Sequence, residues 1–145
     1  MNFFLDTSSL VKIYHKELGS DKIIELYQSS EQLLISELAI IELYSTFHRK
    51  FREKEISLQT LNILLEKFED DIDFRYSVLK FSSLIFDNAR DFLRRVGTKY
   101  GLRTLDSIQF AFFSTYCEKE DIFVCFDKKF LNIIKKQRYR VFNLE

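Results

Sequence analysis

The sequence predicts an α/β fold with a mostly parallel central sheet covered on both faces. Three observations carry this expectation. Short apolar segments, such as Phe3-Phe4-Leu5 and Ile122-Phe123-Val124, alternate with stretches of helical length and periodicity. These segments are apolar throughout, the pattern of strands buried on both faces rather than one. Two of them run directly into a carboxylate, Asp6 and Asp127, and in such folds the carboxyl ends of the strands form the usual functional edge.

Taken in order, residues 2–6 read as a short buried strand. Residues 9–17 carry Leu10, Val11, Ile13 and Tyr14 as a helix, which Gly19-Ser20 ends. Ser20 or Asp21 is placed to cap a second helix over Asp21–Gln28. Leu33-Leu34-Ile35 is a strand, and Ser36 caps a helix from Glu37 to about residue 53. On that helix Leu38, Ile41, Ser45 and His48 share one face, with Phe47 and Phe51 beside it. Ser57 opens a helix with the stripe Leu58, Leu61, Leu64, Leu65 and Phe68, which ends in the acidic cluster Glu69–Asp73, read as solvated. Phe74–Leu79 has the aromatic and β-branched content of a strand. Residues 82–96 form a helix, and Gly97 and Gly101 bracket a turn. Thr104 caps a helix containing Asp106, Ile108, Gln109, Phe110, Phe113 and Tyr116. Ile122–Phe126 is a strand, Lys128–Lys136 a short helix and Tyr139–Phe142 an edge strand.

At 145 residues the chain fits a single domain, 1–145, able to bury a substantial core. Apolar content of 46% and charged content of 30% are those of a folded, soluble protein. No apolar run nears the ~20 residues that span a membrane, and the start lacks the basic segment and cleavage pattern of a secretory signal. Cys117 and Cys125 form no metal-spaced cluster and suit a reducing cytosol, so a cytoplasmic location is expected. Two histidines, His15 and His48, are too few for a His-rich zinc centre.

Net charge is zero, but its distribution is uneven. Residues 1–75 hold 9 Lys/Arg against 14 Asp/Glu, and residues 76–145 hold 13 against 8. From Lys128 to Arg140 there are six basic residues and no acidic one. That run can serve as a phosphate-facing surface or as an ordinary solvated face.

Four acids, Asp6, Glu42, Asp106 and Asp127, interrupt apolar segments. A carboxylate in such surroundings is unfavourable unless a cation or hydrogen bonds compensate it. Carboxylates brought together repel unless a positive charge joins them. Mg²⁺ or Mn²⁺ does this with oxygen ligands, and can activate a water and steady charge on a phosphate oxygen. Ser8 can orient a carboxylate or water. Each acid also has a local explanation: Asp6 and Asp127 as helix caps, Glu42 as a partner of Arg49, Asp106 as a favourable charge at a helix N-terminus. Glu37 is a rival to Glu42. Asp87 and Asp91 read as surface acids paired with Arg90, Arg94 or Arg95. No phosphate-binding glycine loop, dinucleotide fingerprint or nucleophile elbow is present.

Four segments in order resemble the PIN-domain family, specifically the ribonuclease toxins of VapC-like toxin–antitoxin pairs. They are Phe4-Leu5-Asp6-Thr7-Ser8-Ser9-Leu10-Val11-Lys12, Ile35-Ser36-Glu37-Leu38-Ala39-Ile40-Ile41-Glu42-Leu43-Tyr44-Ser45, Leu102-Arg103-Thr104-Leu105-Asp106-Ser107-Ile108-Gln109-Phe110-Ala111 and Phe123-Val124-Cys125-Phe126-Asp127-Lys128-Lys129-Phe130. The resemblance spans essentially the whole chain. It implies a three-layer α/β/α fold, Mg²⁺ or Mn²⁺ held by Asp6, Glu42, Asp106 and Asp127, and endonucleolytic cleavage of RNA. Ser8 would support the site, and Arg103, Lys128 and Lys129 would contact the RNA backbone. A homodimer inhibited by a small antitoxin is also implied. One position departs from the pattern: Cys125 stands where the family often has Thr or Ser. A thiol is a poorer partner for a hard-metal water, which leaves Asp127 the least secure of the four. The competing classes are a structure-specific nuclease outside any toxin system and a catalytically inactive PIN-like binding module.

Overall fold

The computed structural model describes residues 1–29 and 32–142. The elements in chain order are β1 (Phe3–Leu5), α1 (Thr7–Tyr14), α2 (Ser20–Ser29), β2 (Leu33–Ser36), α3 (Glu37–Arg52), α4 (Leu58–Phe74), β3 (Tyr76–Leu79), α5 (Ser83–Val96), α6 (Thr104–Tyr116), β4 (Ile122–Val124), α7 (Lys128–Lys136) and β5 (Arg140–Val141). All five strands are parallel, in the order β3-β2-β1-β4-β5. Phe3 pairs with Leu33 on one side and with Ile122 on the other, so β1 is central.

Strand periodicity assigns the residues to two cores. Leu5, Leu33, Ile35 and Val124 face the layer of α1 to α4. Phe4, Leu34 and Phe123 face the layer of α5 to α7. The expected three-layer α/β/α architecture is therefore present. Much of the aromatic excess fills the second core: the Phe4 and Phe123 rings stack at 5.3 Å, and Phe113 meets Phe123 edge-on at 5.3 Å. Among the described residues no helix is long and apolar enough to cross a membrane.

Helix starts follow the sequence closely where a side chain caps them. Ser36 Oγ accepts the Ala39 amide at 3.0 Å and Ser57 Oγ the Thr60 amide at 3.1 Å. The first helix begins earlier than residue 9 because Asp6 caps it, accepting the Ser9 amide. Thr104 does not cap α6: Arg103 is the N-cap residue and gives no side-chain cap bond, and Thr104 is already helical.

Two expectations are corrected. The buried residues of α3 are Leu38, Ala39, Leu43 and Phe47; of the expected stripe Leu38 is buried, but Ile41, Ser45 and His48 are not, and Ile41 is 62% exposed. Both sets fit helical spacing, and the 39/43/47 row, with Leu43 and Phe47 fully buried, packs in one core with residues of α1 and α4. The cluster Glu69–Asp73 lies within α4, and Asp71 is buried rather than solvated. Its Oδ2 accepts the Tyr14 hydroxyl at 2.6 Å and the Tyr27 hydroxyl at 3.0 Å, and Tyr14 also meets Tyr76 at 2.7 Å. This buried acceptor ties α1, α2 and β3 to α4. Asp71→Ala leaves two phenols without their acceptor, and urea unfolding is expected to show a loss of about 2–3 kcal/mol.

Candidate functional site

Because every strand is parallel, one edge of the sheet collects all the strand carboxyl ends. The chain crosses from the β2/β3 side to the β4/β5 side between β3 and β4, so the switch in strand order lies between β1 and β4. Asp6 follows β1 and Asp127 lies three residues beyond β4, on either side of that switch point.

Asp6 is 6% exposed. One oxygen accepts from Ser8 Oγ at 2.7 Å and from the Ser9 amide at 3.0 Å. Burial pushes its pKa up, against the opposing hydrogen bonds from Cys125, Ser8 and Ser9. Ser8 holds the opposite strand end too, since its Oγ accepts the Phe126 amide at 3.1 Å.

Asp127 is shared between two tasks. Its Oδ1 accepts the Phe130 amide at 3.1 Å and caps α7. Its Oδ2 lies 3.3 Å from Arg103 Nη2. Cys125 does not displace it: the thiol is fully buried, and its Sγ accepts the Asp127 amide at 3.2 Å. Burial, with Asp6 nearby, holds the Cys125 thiol protonated by pushing its pKa up. Phe126, beside it, packs against Gly19, where a Cβ would come within 2.5 Å of its ring. Gly19 also has φ of 91°, so both conformation and space require glycine there.

Asp106 sits in the first turn of α6 with its Oδ2 3.1 Å from Arg103 Nε. Burial raises its pKa, Arg103 opposes this, and the charge of Asp127 adds to the rise. Burial thus makes both Asp6 and Asp106 resist ionisation, Asp106 even with Arg103 beside it. Protons should compete for them at a higher pH than for free aspartate. Any activity that needs both charged is expected to fall on acidification before the pH reaches the ordinary aspartate range, with a pH–rate profile as the check.

Glu42, on α3, pairs not with Arg49 but with Thr7 and Gln109. Thr7 Oγ1 donates to Glu42 Oε1 at 2.8 Å, and Gln109 Nε2 donates to the same oxygen at 3.1 Å and to Thr7 at 3.0 Å. Gln109, 3% exposed, is fixed in turn by Ser36 Oγ at 2.8 Å. Sequence reasoning assigned no role to Thr7 or Gln109. A signal existed: Gln109 is one helical turn beyond Asp106, and Thr7 adjoins Asp6. Glu37 stays apart, accepting the Phe81 amide at 2.5 Å and lying near Lys80. Asp87 and Asp91 pair with Arg90.

Of the three basic residues expected at the RNA backbone, Arg103 and Lys129 line one hollow of about 260 Å³ with Asp106 and Asp127, and Lys128 opens α7 beside Asp127. A second groove, about 380 Å³, starts at Thr7, Ser8 and Asp127 and is lined by Lys12, Arg49 and Lys50. Those three were missed, although Thr46 and Arg49 follow Glu42 at one and two helical turns. Lys12 lies 4.9 Å over the Phe126 ring and pairs with Glu17, as Lys50 also does.

Among the described residues no group of three or more His, Cys, Asp or Glu side chains is close enough to hold a metal ion. The acids are gathered as Asp6 with Ser8, Glu42 with Thr7 and Gln109, and Asp106 with Asp127 through Arg103. The donor chemistry still fits a hard divalent cation. It is all oxygen, two of the carboxyls are raised in pKa, and two acids already share a positive group.

A family profile for the PIN domain matches residues 3–136. The chain is similar to FitAcB of Neisseria gonorrhoeae, at 15% identity, covering 98% of this chain and 97% of that one with a TM-score of 0.76. It is similar to VapC20 of Mycobacterium tuberculosis, a sarcin-ricin loop cleaving toxin, at 14% identity, 90% and 94% coverage and a TM-score of 0.70. A toxin–antitoxin complex from Klebsiella pneumoniae gives 16% identity, 98% and 97% coverage and a TM-score of 0.59. No curated protein matches the chain by sequence.

Proposed function

The chain belongs to the PIN-domain family, and we propose that it is a metal-dependent endoribonuclease toxin, a single nuclease domain restrained by a small cognate antitoxin. The observation that carries this reading is the arrangement of Asp6, Glu42, Asp106 and Asp127 around the switch point of an all-parallel sheet. A basic groove leads away from that point.

Asp6, Asp106 and the Oδ2 of Asp127 would hold Mg²⁺ or Mn²⁺, with Glu42 directly or through water. When bound, the ion would supply positive charge to a phosphate oxygen and lower the pKa of a water, making hydroxide available to attack phosphorus as the P–O ester bond breaks. Ser8 and the Ser9 amide keep the Asp6 carboxylate oriented. Thr7 and Gln109 fix one oxygen of Glu42 and leave Oε2 without a partner among the described residues, so that oxygen can take a proton from the attacking water. Arg103, Lys128 and Lys129 on one side and Lys12, Arg49 and Lys50 on the other offer positive charge to the RNA backbone.

The toxin assignment is supported by the similarity to a toxin from Mycobacterium tuberculosis and to a toxin–antitoxin complex from Klebsiella pneumoniae, and an antitoxin partner is proposed on the same ground; the homodimer is proposed from the motif resemblance alone. A substrate panel tests the reaction: single-stranded RNA, structured RNA and DNA, each with Mg²⁺ or Mn²⁺. Internal cuts in RNA and not in DNA are the expected result. Cleavage of DNA as readily as RNA would move the chain to the structure-specific nucleases. Binding without turnover has an observation in its favour, since Arg103 already neutralises two of the acids; in that case RNA is retained and recovered intact.

A further inference from the structure

Arg103 occupies the oxygens that the proposed site needs. Its Nε lies 3.1 Å from Asp106 Oδ2 and its Nη2 3.3 Å from Asp127 Oδ2. The other Asp127 oxygen is committed to the Phe130 amide, so Oδ2 is the one this residue can offer. The guanidinium therefore joins two carboxylates that would otherwise repel, which is the task of the cation itself. Nothing rigid keeps it there. Arg103 precedes α6, its side chain is 75% exposed, and these two ion pairs are its only polar contacts among the described residues.

We propose that Arg103 is an exchangeable internal cation: it bridges Asp106 and Asp127 in the metal-free protein, gives way to a divalent ion, and then pairs with a phosphate of the bound RNA. The proposal rests on the nuclease reading and adds to it a residue with two successive partners. A planar, permanently charged fork suits both, because its separate N–H groups can be shared between two carboxylates or between two oxygens of one phosphate. It also accounts for the absence, among the described residues, of three acids close enough to hold a metal. The two acids nearest Arg103 are turned to it rather than to Asp6 and Glu42.

The exchange predicts effects of opposite sign on two binding steps. Arg103→Gln removes the competitor and should tighten Mn²⁺, measured by the electron paramagnetic resonance signal of free Mn²⁺ without RNA. The expected gain is roughly three- to tenfold, modest because the guanidinium is exposed. The same variant should weaken RNA binding to the Ca²⁺-loaded protein, followed by fluorescence anisotropy of a labelled RNA. Lys129→Gln, which removes a like charge from the same hollow, controls for general electrostatics and should change Mn²⁺ affinity less than Arg103→Gln. Circular dichroism checks that both variants fold. Equal Mn²⁺ affinity in wild type and Arg103→Gln, or an equal gain in Lys129→Gln, overturns the exchange and leaves the nuclease reading standing. Failure of wild type and Arg103→Gln alike to bind Mn²⁺ overturns both.

Discussion

Asp6→Asn is expected to lower metal-dependent RNA cleavage by about 10²-fold or more while raising the melting temperature of the metal-free protein at pH 7. The two effects have one cause. Asp6 is buried, and its pKa is pushed up by loss of solvent. A carboxyl whose pKa is raised on folding contributes stability that is fully present below the ordinary aspartate range and lost as pH rises through its raised value. At pH 7 the charged form is therefore a burden that only a cation relieves. Asparagine keeps the acceptor for Ser8 and the Ser9 amide, so the cap of α1 survives, but removes the charge. Thermal unfolding at pH 7 and pH 4 is the check: the gain over wild type should shrink at the lower pH. A variant less stable than wild type at pH 7 would show that Asp6 serves chiefly as a cap.

Gln109→Leu is expected to produce the second large effect. Gln109 joins β2, α1 and α3 through a buried bond to Ser36 and part-buried bonds to Thr7 and Glu42. Leucine fills most of the volume but leaves the Ser36 hydroxyl without its acceptor and frees Glu42 from one of its two donors. Stability should fall by about 1–3 kcal/mol, read from urea unfolding. Cleavage should fall about tenfold as Glu42 loses its fixed orientation. Both losses should be larger than those of Glu37→Gln, because Glu37 contacts Phe81 and Lys80 rather than Thr7, Gln109 or the other acids.

The strands and the four acids were legible in the sequence because each breaks a local pattern. An aspartate that ends an apolar strand, or a glutamate inside a helix of Leu and Ile, conflicts with its neighbours and so draws notice. Thr7 and Gln109 draw none: a small hydroxyl after a strand and an amide in a helix are ordinary residues, and only tertiary contact shows their hydrogen bonds to Glu42. Lys12, Arg49 and Lys50 were obscured because they fall in the half of the chain that is acidic on balance. Charge summed by segment says nothing about which face a side chain occupies. The α3 face was misread because two rows of residues satisfy the same helical spacing, and the competition between them is settled by what packs opposite. Asp71 was taken for a solvated acid on composition alone. Its tyrosine partners are far away in sequence, on α1 and α2.

Cys125 illustrates a departure from a family pattern whose meaning depends on three dimensions. The thiol accepts the Asp127 amide and stays protonated under Asp6. Asp127 keeps one oxygen, Oδ2, clear of the α7 cap and beside Arg103. The position that made it the least secure acid in the sequence also helps hold it in place.

The central claim is that the acids act together through a divalent ion on RNA. Cleavage of one end-labelled RNA by wild type and by Asp106→Asn, each in Mn²⁺ and in excess chelator, tests it most directly. Internal cuts should appear only with wild type in Mn²⁺. Cutting that persists in chelator, or that Asp106→Asn retains in full, would contradict a shared metal site.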